Sequence, residues 1–193
     1  MLENLKKYRI VLASNSPRRR ELLAGLGLDF EVRTLSDIDE SYPKSLPSLE
    51  VAEYIAMKKA NAYLPSMAVD ELLVTADTVV VVDNSVLGKP TDAVEAKQML
   101  KMLSGRTHQV VTGVSLTTQS ESRHFAVRTD VTFKPLSDAE IDYYVDTFRP
   151  FDKAGAYGIQ EWIGYIGCTG LQGSYYNVMG LPVQRIYTEL TKF

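Results

Sequence analysis

The 193-residue chain has little of two catalytically important residue types: a single cysteine, Cys168, and two histidines, His108 and His124. One cysteine excludes an intrachain disulfide framework and a zinc site built from several cysteines, and it is consistent with a reducing compartment. No apolar stretch is long enough to span a bilayer, and the start MLENLKKYRI lacks the apolar core of a signal peptide. We therefore expect a cytoplasmic protein that has no membrane partner.

An excess of basic residues is also missing. The chain has 21 Lys and Arg against 24 Asp and Glu, a net charge of −3, which disfavours a general nucleic-acid binder and makes any basic site local. The motifs GxxxxGKS, GxxxxGKT and HExxH are absent, which argues against a Walker-type phosphate loop and a zincin. The segment RELLAGLG (20–27) lacks the paired glutamates of a Nudix box.

The local basic site is the segment SNSPRRR (14–20). It follows the apolar run YRIVLAS (8–14), and Ser16 and Pro17 are typical of the cap and first turn of a helix. Three arginines at a helix start are electrostatically disfavoured unless an anion neutralises them. The sequence therefore predicts a strand, a tight loop and a helix that binds phosphate, with a solvated basic turn as the alternative.

The rest of the chain alternates strand and helix signals, with hydrophobic residues at 45%, enough for one substantial core. Capping boxes are indicated by Asp92 with Glu95 and by Ser137 with Glu140. The pattern predicts an α/β fold, a mixed sheet flanked by helices, in one domain over 1–193. The predicted strands are 8–14, 30–35, 71–84, 107–118 and 124–136, and the predicted helices, besides the one after SNS, are 49–63, 92–103, 137–148 and one that starts at Pro182.

Asp77 is the strongest candidate for chemistry, since an ionised carboxylate within LLVTADTVVVV is costly unless it is paired, hydrogen bonded or metal bound. A bond to backbone amides or to a structural arginine remains an alternative. If the strand over 71–84 turns back at Asp83-Asn84, Lys89 approaches the same end of the sheet. Lys89 also fits a surface turn, and Lys59 fits a solvated helix face.

Two further segments carry polar candidates. Asp39 and Glu40 fit either ligands for a divalent cation or a polar loop. Gln160 offers one acceptor and two donors, which reading the edge of a nucleobase requires, although a buried structural glutamine fits equally. The segment from Gly155 to Gly180 is rich in glycine, which predicts a set of binding loops rather than core.

These motifs together closely resemble the Maf-like nucleotide pyrophosphatases, and among them the branch that hydrolyses dTTP and UTP. The resemblance spans nearly the whole chain, through the segments LASNSPRRRELL, ADTVVVVDNSVLGKP, LSGRTHQVVTGV, DKAGAYGIQ and GSYYNVMGLP. It implies a twisted mixed sheet with two lobes around a central cleft, related to the ITP-hydrolysing fold. It also implies a divalent cation, Mg²⁺ or Mn²⁺, and a homodimer.

The resemblance also assigns roles residue by residue. Asp77 matches the catalytic aspartate that accepts a proton from water, and Glu40 assists it in holding the metal. Arg18, Thr78 and Gln160 match the positions that distinguish the dTTP/UTP branch. The predicted substrate-binding residues are Ser14, Ser16, Arg18, Arg19, Lys59, Thr78, Lys89 and Gln160.

The expected function is therefore hydrolysis of dTTP and UTP to the monophosphate and pyrophosphate, with removal of modified pyrimidine nucleotides as one physiological possibility. Two alternatives remain open. One is a non-catalytic regulator of septum formation that binds nucleotide or nucleic acid, and the other is a purine pyrophosphatase of the ITP-hydrolysing type. The acidic balance and Asp77 favour the enzyme, because a mere binder of polyanions gains nothing from a carboxylate in its site.

Overall fold

The computed structural model describes residues 2–193, in which one mixed sheet of seven strands is accompanied by seven α-helices. The strands are β1 (Arg9–Leu12), β2 (Phe30–Val32), β3 (Glu71–Val82), β4 (Ser85–Leu87), β5 (Thr107–Thr117), β6 (Ser122–Phe133) and β7 (Cys168–Gln172). The helices are α1 (Pro17–Ala24), α2 (Val51–Tyr63), α3 (Ala93–Leu103), α4 (Asp138–Phe148), α5 (Trp162–Gly167), α6 (Tyr175–Met179) and α7 (Val183–Leu190).

The sheet has the strand order β2-β1-β3-β5-β6-β7, and β4 pairs with β3 outside this path. β1 is parallel to both β2 and β3, with Leu12 opposite Val32 and Val74. β4 is antiparallel to β3, and β7 is antiparallel to β6. The predicted mixed α/β architecture is confirmed.

The chain divides into two compact units. The first comprises the chain up to Asp77 together with Thr112–Val127 and Gly180–Phe193. The second comprises Thr78–Val111 and Arg128–Met179. Three of the four boundaries fall inside β3, β5 and β6, and the fourth follows α6; the boundary in β3 separates Asp77 from Thr78. That residues 1–193 form one functional domain stays a prediction.

In the first unit, the apolar face of α2 packs on β1 and β3. Its core contains Val11, Ala60, Tyr63, Met67 and Leu73. The contact between helix and sheet is close at Gly113 of β5, where an added Cβ atom would lie 2.2 Å from the Glu53 nitrogen. This packing holds α2 in a fixed position beside the middle of β3.

The second unit has its own core, formed by α3, α4 and the facing strand residues. The predicted capping box of α3 forms only in part: the Asp92 side chain accepts a hydrogen bond from the Glu95 N–H, but the Glu95 carboxylate accepts from the Thr91 N–H and hydroxyl. α4 has the complete capping box of Ser137 and Glu140.

The predicted turn after the long apolar strand is confirmed as a hairpin. Val82 pairs with Ser85, so that Asp83 and Asn84 form the two-residue loop. Both have positive φ, 48° and 62°, which Asp and Asn tolerate better than most residues and which tight hairpin loops require.

Several sequence predictions are wrong in part. The strands predicted over 8–14 and 124–136 end earlier, at Leu12 and Phe133. β2 ends at Val32 instead of residue 35. The Tyr63 hydroxyl donates to the Arg33 carbonyl (3.1 Å) and accepts from the Leu35 N–H (2.9 Å), so these backbone groups bond to a side chain instead of a strand. Much of the glycine-rich segment forms α5, β7 and α6 instead of loops. Its glycines permit close packing, since a Cβ at Gly164 would lie 1.9 Å from the Ile159 carbonyl oxygen.

A membrane span was not expected, and within residues 2–193 no helix is long and apolar enough to cross a bilayer.

Candidate active site

The segment SNSPRRR forms the predicted loop and helix start after β1. Ser16 caps α1, because its side chain accepts a hydrogen bond from the Arg19 N–H (3.4 Å), and Pro17 opens the helix. Ser14 is buried, and its hydroxyl accepts a hydrogen bond from the Ser16 N–H (3.2 Å). The loop is therefore fixed by its own serines before any ligand binds.

Arg19 is bound to the backbone of two distant segments. Its Nε donates to the Gly180 carbonyl (2.8 Å) and one terminal nitrogen donates to the Ala76 carbonyl (2.9 Å). Burial lowers the pKa of the guanidinium, while the nearby Asp77 carboxylate raises it in part. Sequence reasoning missed this structural role. A phosphate contact by Arg19 stays a prediction.

Asp77 lies in the middle of β3, where it and Thr78 are the only residues of the strand that are not fully buried. Its side chain is 14% exposed, and its Oδ1 accepts a hydrogen bond from Lys59 Nζ (2.8 Å). This carboxylate is thus paired with a lysine, whereas the sequence alternatives were backbone amides or an arginine. Lys59 belongs to the last turns of α2 and does not lie on a solvated face, since its side chain is 13% exposed.

Glu40 brings a second carboxylate to the same lysine. Its Oε1 lies 3.0 Å from Lys59 Nζ, and its side chain is half exposed. Asp39, the residue before Glu40, pairs with Lys58, the residue before Lys59 (2.6 Å). Lys58 holds the pKa of the Asp39 carboxyl well below its usual range, with help from Ser41. Two consecutive acidic residues of the loop over 33–47 are therefore fastened to two consecutive lysines of α2.

The same group of residues includes two carboxylates whose fit to a divalent cation can be examined. Within residues 2–193 there is no cluster of three or more His, Cys, Asp or Glu side chains suited to a metal. Asp77 and Glu40, however, both contact one cation, the Lys59 ammonium. Mg²⁺ commonly binds through one or two carboxylates and substrate phosphates, so these two oxygen donors fit Mg²⁺ or Mn²⁺.

Five of the predicted residues come together in the first unit. Arg19 interacts electrostatically with Arg18, Asp77 and Glu40, and Lys59 contacts both carboxylates. Three cationic groups therefore surround two carboxylates, an excess of positive charge that suits a polyanion.

The first unit also contains Ser14 and Ser16, and the second unit contains the remaining three predicted residues, Thr78, Lys89 and Gln160. Thr78 is partly buried beside Asp77 in the strand, and Lys89 is exposed just after β4. The side-chain oxygen of Gln160 has no solvent-exposed surface and no hydrogen-bond partner among residues 2–193. An unpaired buried amide oxygen is costly, so it is a candidate acceptor for a ligand donor.

A network that the sequence did not reveal supports the segment that carries Gln160. The Tyr144 hydroxyl donates to the Glu161 carboxylate and accepts from the Gly158 N–H (3.0 Å). Lys153 pairs with the same carboxylate at 3.0 Å. Burial, and then Glu161, raise the pKa of Tyr144, so this hydroxyl remains protonated and can donate. No sequence signal links Tyr144 of α4 to this segment.

The model of the family described as Maf-like protein matches residues 9–193. The chain belongs to this Maf-like family. A protein of Phocaeicola vulgatus named dTTP/UTP pyrophosphatase is 61% identical to this Maf-like chain over 192 residues, which cover 100% of both. A protein of Parabacteroides distasonis with the same name is 61% identical over 193 residues, again 100% of both chains.

A solved structure, a nucleoside-triphosphatase / dITP/XTP pyrophosphatase from Mycobacterium abscessus, superposes with a TM-score of 0.47. It is 19% identical and covers 94% of this chain and 93% of its own. The family assignment rests on the family match and the full-length relatives, and not on this superposition.

Proposed function

We propose that this Maf-like protein hydrolyses dTTP and UTP at the α–β phosphoanhydride and releases the monophosphate and pyrophosphate. The two full-length relatives at 61% identity carry this activity in their names. The observation that carries the proposal is the pairing of Asp77 and Glu40 with one ammonium group, beside the guanidinium of Arg19. A carboxylate pair with adjacent cations is the equipment that phosphoryl chemistry requires, since positioning and charge neutralisation supply most of the catalysis.

We assign Asp77 the role of proton acceptor for the attacking water, because it is the one partly accessible carboxylate in an otherwise buried strand. We assign two serines and four cationic residues to phosphate oxygens: Ser14, Ser16, Arg18, Arg19, Lys59 and Lys89. A bound Mg²⁺ or Mn²⁺, held by Asp77 and Glu40, would neutralise charge on the phosphates. The cationic side chains stabilise the negative charge that grows on the leaving pyrophosphate.

Gln160 and Thr78 are assigned to the base. Uracil and thymine present a carbonyl acceptor beside an N–H donor, and a carboxamide can bind both. The buried, unpartnered Gln160 oxygen fits the acceptor for that N–H. The Tyr144, Glu161 and Lys153 network holds the backbone next to Gln160.

A nucleotide panel tests the activity. Purified protein with Mn²⁺ is assayed against dTTP, UTP, CTP, ITP and XTP, with monophosphate and pyrophosphate resolved as products. We expect the highest kcat/KM for dTTP and UTP. Preferred turnover of ITP and XTP would support a purine pyrophosphatase instead, and nucleotide binding without turnover would support a regulator.

Asp77→Asn tests the catalytic assignment, since it keeps the shape and removes the basicity. We expect kcat to fall by roughly 10²–10⁴-fold if Asp77 is the general base. Asp83→Asn, an exposed aspartate in the hairpin loop of the same chain segment, is the matched control and is expected to keep wild-type turnover. Near wild-type kcat in a folded Asp77→Asn protein would remove Asp77 from the mechanism.

Gln160→Ala tests base recognition. Cytosine would leave buried polar groups unpaired, so wild type should prefer UTP over CTP by about five- to a hundredfold. We expect Gln160→Ala to erode this ratio of kcat/KM values, and the control Gln172→Ala, at an exposed position of β7, to preserve it. A ratio that is unchanged in Gln160→Ala would show that Gln160 does not read the base.

The other partner assignments follow from the same proposal. The substrate is a free nucleoside triphosphate and not a nucleic acid, the protein forms a homodimer, and its location is the cytoplasm. Light scattering at assay concentration measures the assembly state, and competition by single-stranded DNA or RNA in the turnover assay tests the choice of ligand.

A further inference from the structure

Lys59 occupies the place that a divalent cation needs. Its ammonium nitrogen lies 2.8 Å from the Asp77 carboxylate and 3.0 Å from the Glu40 carboxylate. The three side chains differ in exposure: Lys59 and Asp77 are nearly buried, at 13% and 14%, and Glu40 is half exposed. The two candidate metal ligands therefore already share a cation that the protein itself supplies.

Buried contacts fix the backbone positions of Lys59 and Asp77. Two residues before Asp77, the Thr75 hydroxyl donates to the Ala56 carbonyl of α2 at 2.7 Å, and both residues are fully buried. Ala60, the residue after Lys59, is also buried in the core of the first unit. The pairing of Lys59 with Asp77 is thus a product of the scaffold.

Glu40 reaches the same ammonium group from an irregular loop. It belongs to the irregular segment over 33–47, which is held to α2 by the Lys58 contacts with Asp39 (2.6 Å) and the Ser41 carbonyl (2.9 Å). The Lys59 stem has four rotatable carbons, so its ammonium can leave the carboxylates while its backbone stays in place.

A divalent cation between these carboxylates would lie against the lysine ammonium, and two like charges at such a distance repel strongly in a partly buried site. The carboxylates can therefore hold Lys59 or the metal, and not both at these distances. A triphosphate offers the displaced ammonium a new anion, because Lys binds phosphate as a mobile point charge.

We propose that Lys59 is a built-in competitor of the divalent cation: it neutralises Asp77 and Glu40 in the absence of nucleotide and transfers to the phosphate chain when the metal enters. Metal and nucleotide binding are then positively coupled, and the protein without nucleotide holds the metal weakly. This inference rests on the proposed function for the identity of the phosphate ligand, whereas the competition itself depends only on the contacts of Lys59.

Mn²⁺ binding without nucleotide tests the competition. The signal of free Mn²⁺ in electron paramagnetic resonance gives the dissociation constant for wild type, Lys59→Met and the control Lys44→Met, which removes the same charge at an exposed position of the loop. We expect Lys59→Met to bind Mn²⁺ about tenfold more tightly than wild type and Lys44→Met to stay within about twofold. Adding Asp77→Asn to Lys59→Met should abolish the gain, which assigns it to this site.

Equal or weaker Mn²⁺ binding by a cooperatively melting Lys59→Met protein would overturn the inference. A second measurement uses wild type and so does not depend on the fold of the variant. Acetylation by acetic anhydride, followed by peptide mass spectrometry, should modify Lys59 faster after Mn²⁺ is added, while Lys58 keeps its rate. An unchanged Lys59 rate at saturating Mn²⁺ would also overturn it.

The two proposals fail separately. If wild type hydrolyses no nucleotide and Lys59→Met still binds Mn²⁺ more tightly, the competition stands and the proposed function fails. If wild type hydrolyses dTTP and UTP and Mn²⁺ binding is insensitive to Lys59, the function stands and the competition fails.

Discussion

Replacing Arg19 by methionine separates a structural role from a substrate role within one side chain. From sequence, an arginine in the first turn of a helix is expected to contribute little to stability, since it faces the positive end of the helix dipole. The structure contradicts that expectation for Arg19. The guanidinium donates to Ala76 of β3 and to Gly180, which precedes α7.

The contact of Arg19 with Ala76 takes the place of a hydrogen bond between strands. The Ala13 N–H, just beyond β1, still donates to the Val74 carbonyl at 2.9 Å. Ala76 lies two residues further along β3, so its carbonyl points to the same side, beyond the end of β1. Arg19 supplies the donor there. Its removal would leave the Ala76 carbonyl without that donor one residue before Asp77.

A hydrogen bond from a charged donor contributes about 1.5–3 kcal/mol, and the loss of a partner exposes the buried carbonyl to its desolvation cost. Two such bonds, discounted for the partial exposure of Arg19, predict that Arg19→Met lowers the free energy of unfolding by about 2–4 kcal/mol. Methionine keeps most of the apolar stem, so lost packing adds little.

Urea denaturation followed by circular dichroism measures the effect, with Arg20→Met as the matched control. Arg20 is exposed, and its hydrogen bond to Asn15 is long at 3.5 Å, so its replacement should change the free energy of unfolding by less than about 0.5 kcal/mol. Equal stabilities of the two variants would refute the reasoning. Arg19 would then be free of a structural role, and any loss of activity in Arg19→Met would belong to the substrate.

Two further predictions concern the scaffold. Burial lowers the pKa of His108 to about 4. Between about pH 6.5 and 4 the unfolded chain therefore binds a proton that the folded protein does not bind. The free energy of unfolding falls as the pH falls through this range. His108→Gln keeps a partner for the Tyr157 hydroxyl (2.7 Å), and the stability it loses between pH 7 and 4.5 in urea titrations should be smaller by roughly 2–3 kcal/mol. Gly113→Ala should lower the unfolding free energy by about 3 kcal/mol or more, because its Cβ would meet the backbone of Ala52 and Glu53 at 2.2–2.3 Å; an unchanged thermal midpoint would show that α2 can retreat.

Local chemistry explains what could be predicted from the sequence. The helix start at Ser16 and Pro17, the Asp83-Asn84 hairpin and the capping box of α4 each depend on neighbouring residues, and each is confirmed. The carboxylate in β3 was predictable for the same reason, since an aspartate within an apolar strand needs a partner whatever the rest of the fold.

The identity of that partner was not predictable, because it depends on the placement of α2. Asp77 and Lys59 are 18 residues apart in the chain, and Lys58 is as good a candidate by sequence. The buried face of α2 fixes the rotation of this helix about its axis. That rotation pairs Lys58 with Asp39, and Lys59 with Asp77 and Glu40. The prediction of loops in the glycine-rich segment was wrong for a related reason. The sequence does not distinguish a glycine that permits close packing from one that permits a loop.

The fixed geometry of Asp77 follows from the two residues before it. The side chain of Thr75 ties β3 to α2, and the carbonyl of Ala76 ties it to α1 through Arg19. Both ties are hydrogen bonds made inside the first unit, and α1 and α2 also carry the cations that surround Asp77. The strand therefore receives its position and its neutralising charges from the same two helices, so a substitution that loosens either helix should alter the environment of the carboxylate before it unfolds the chain.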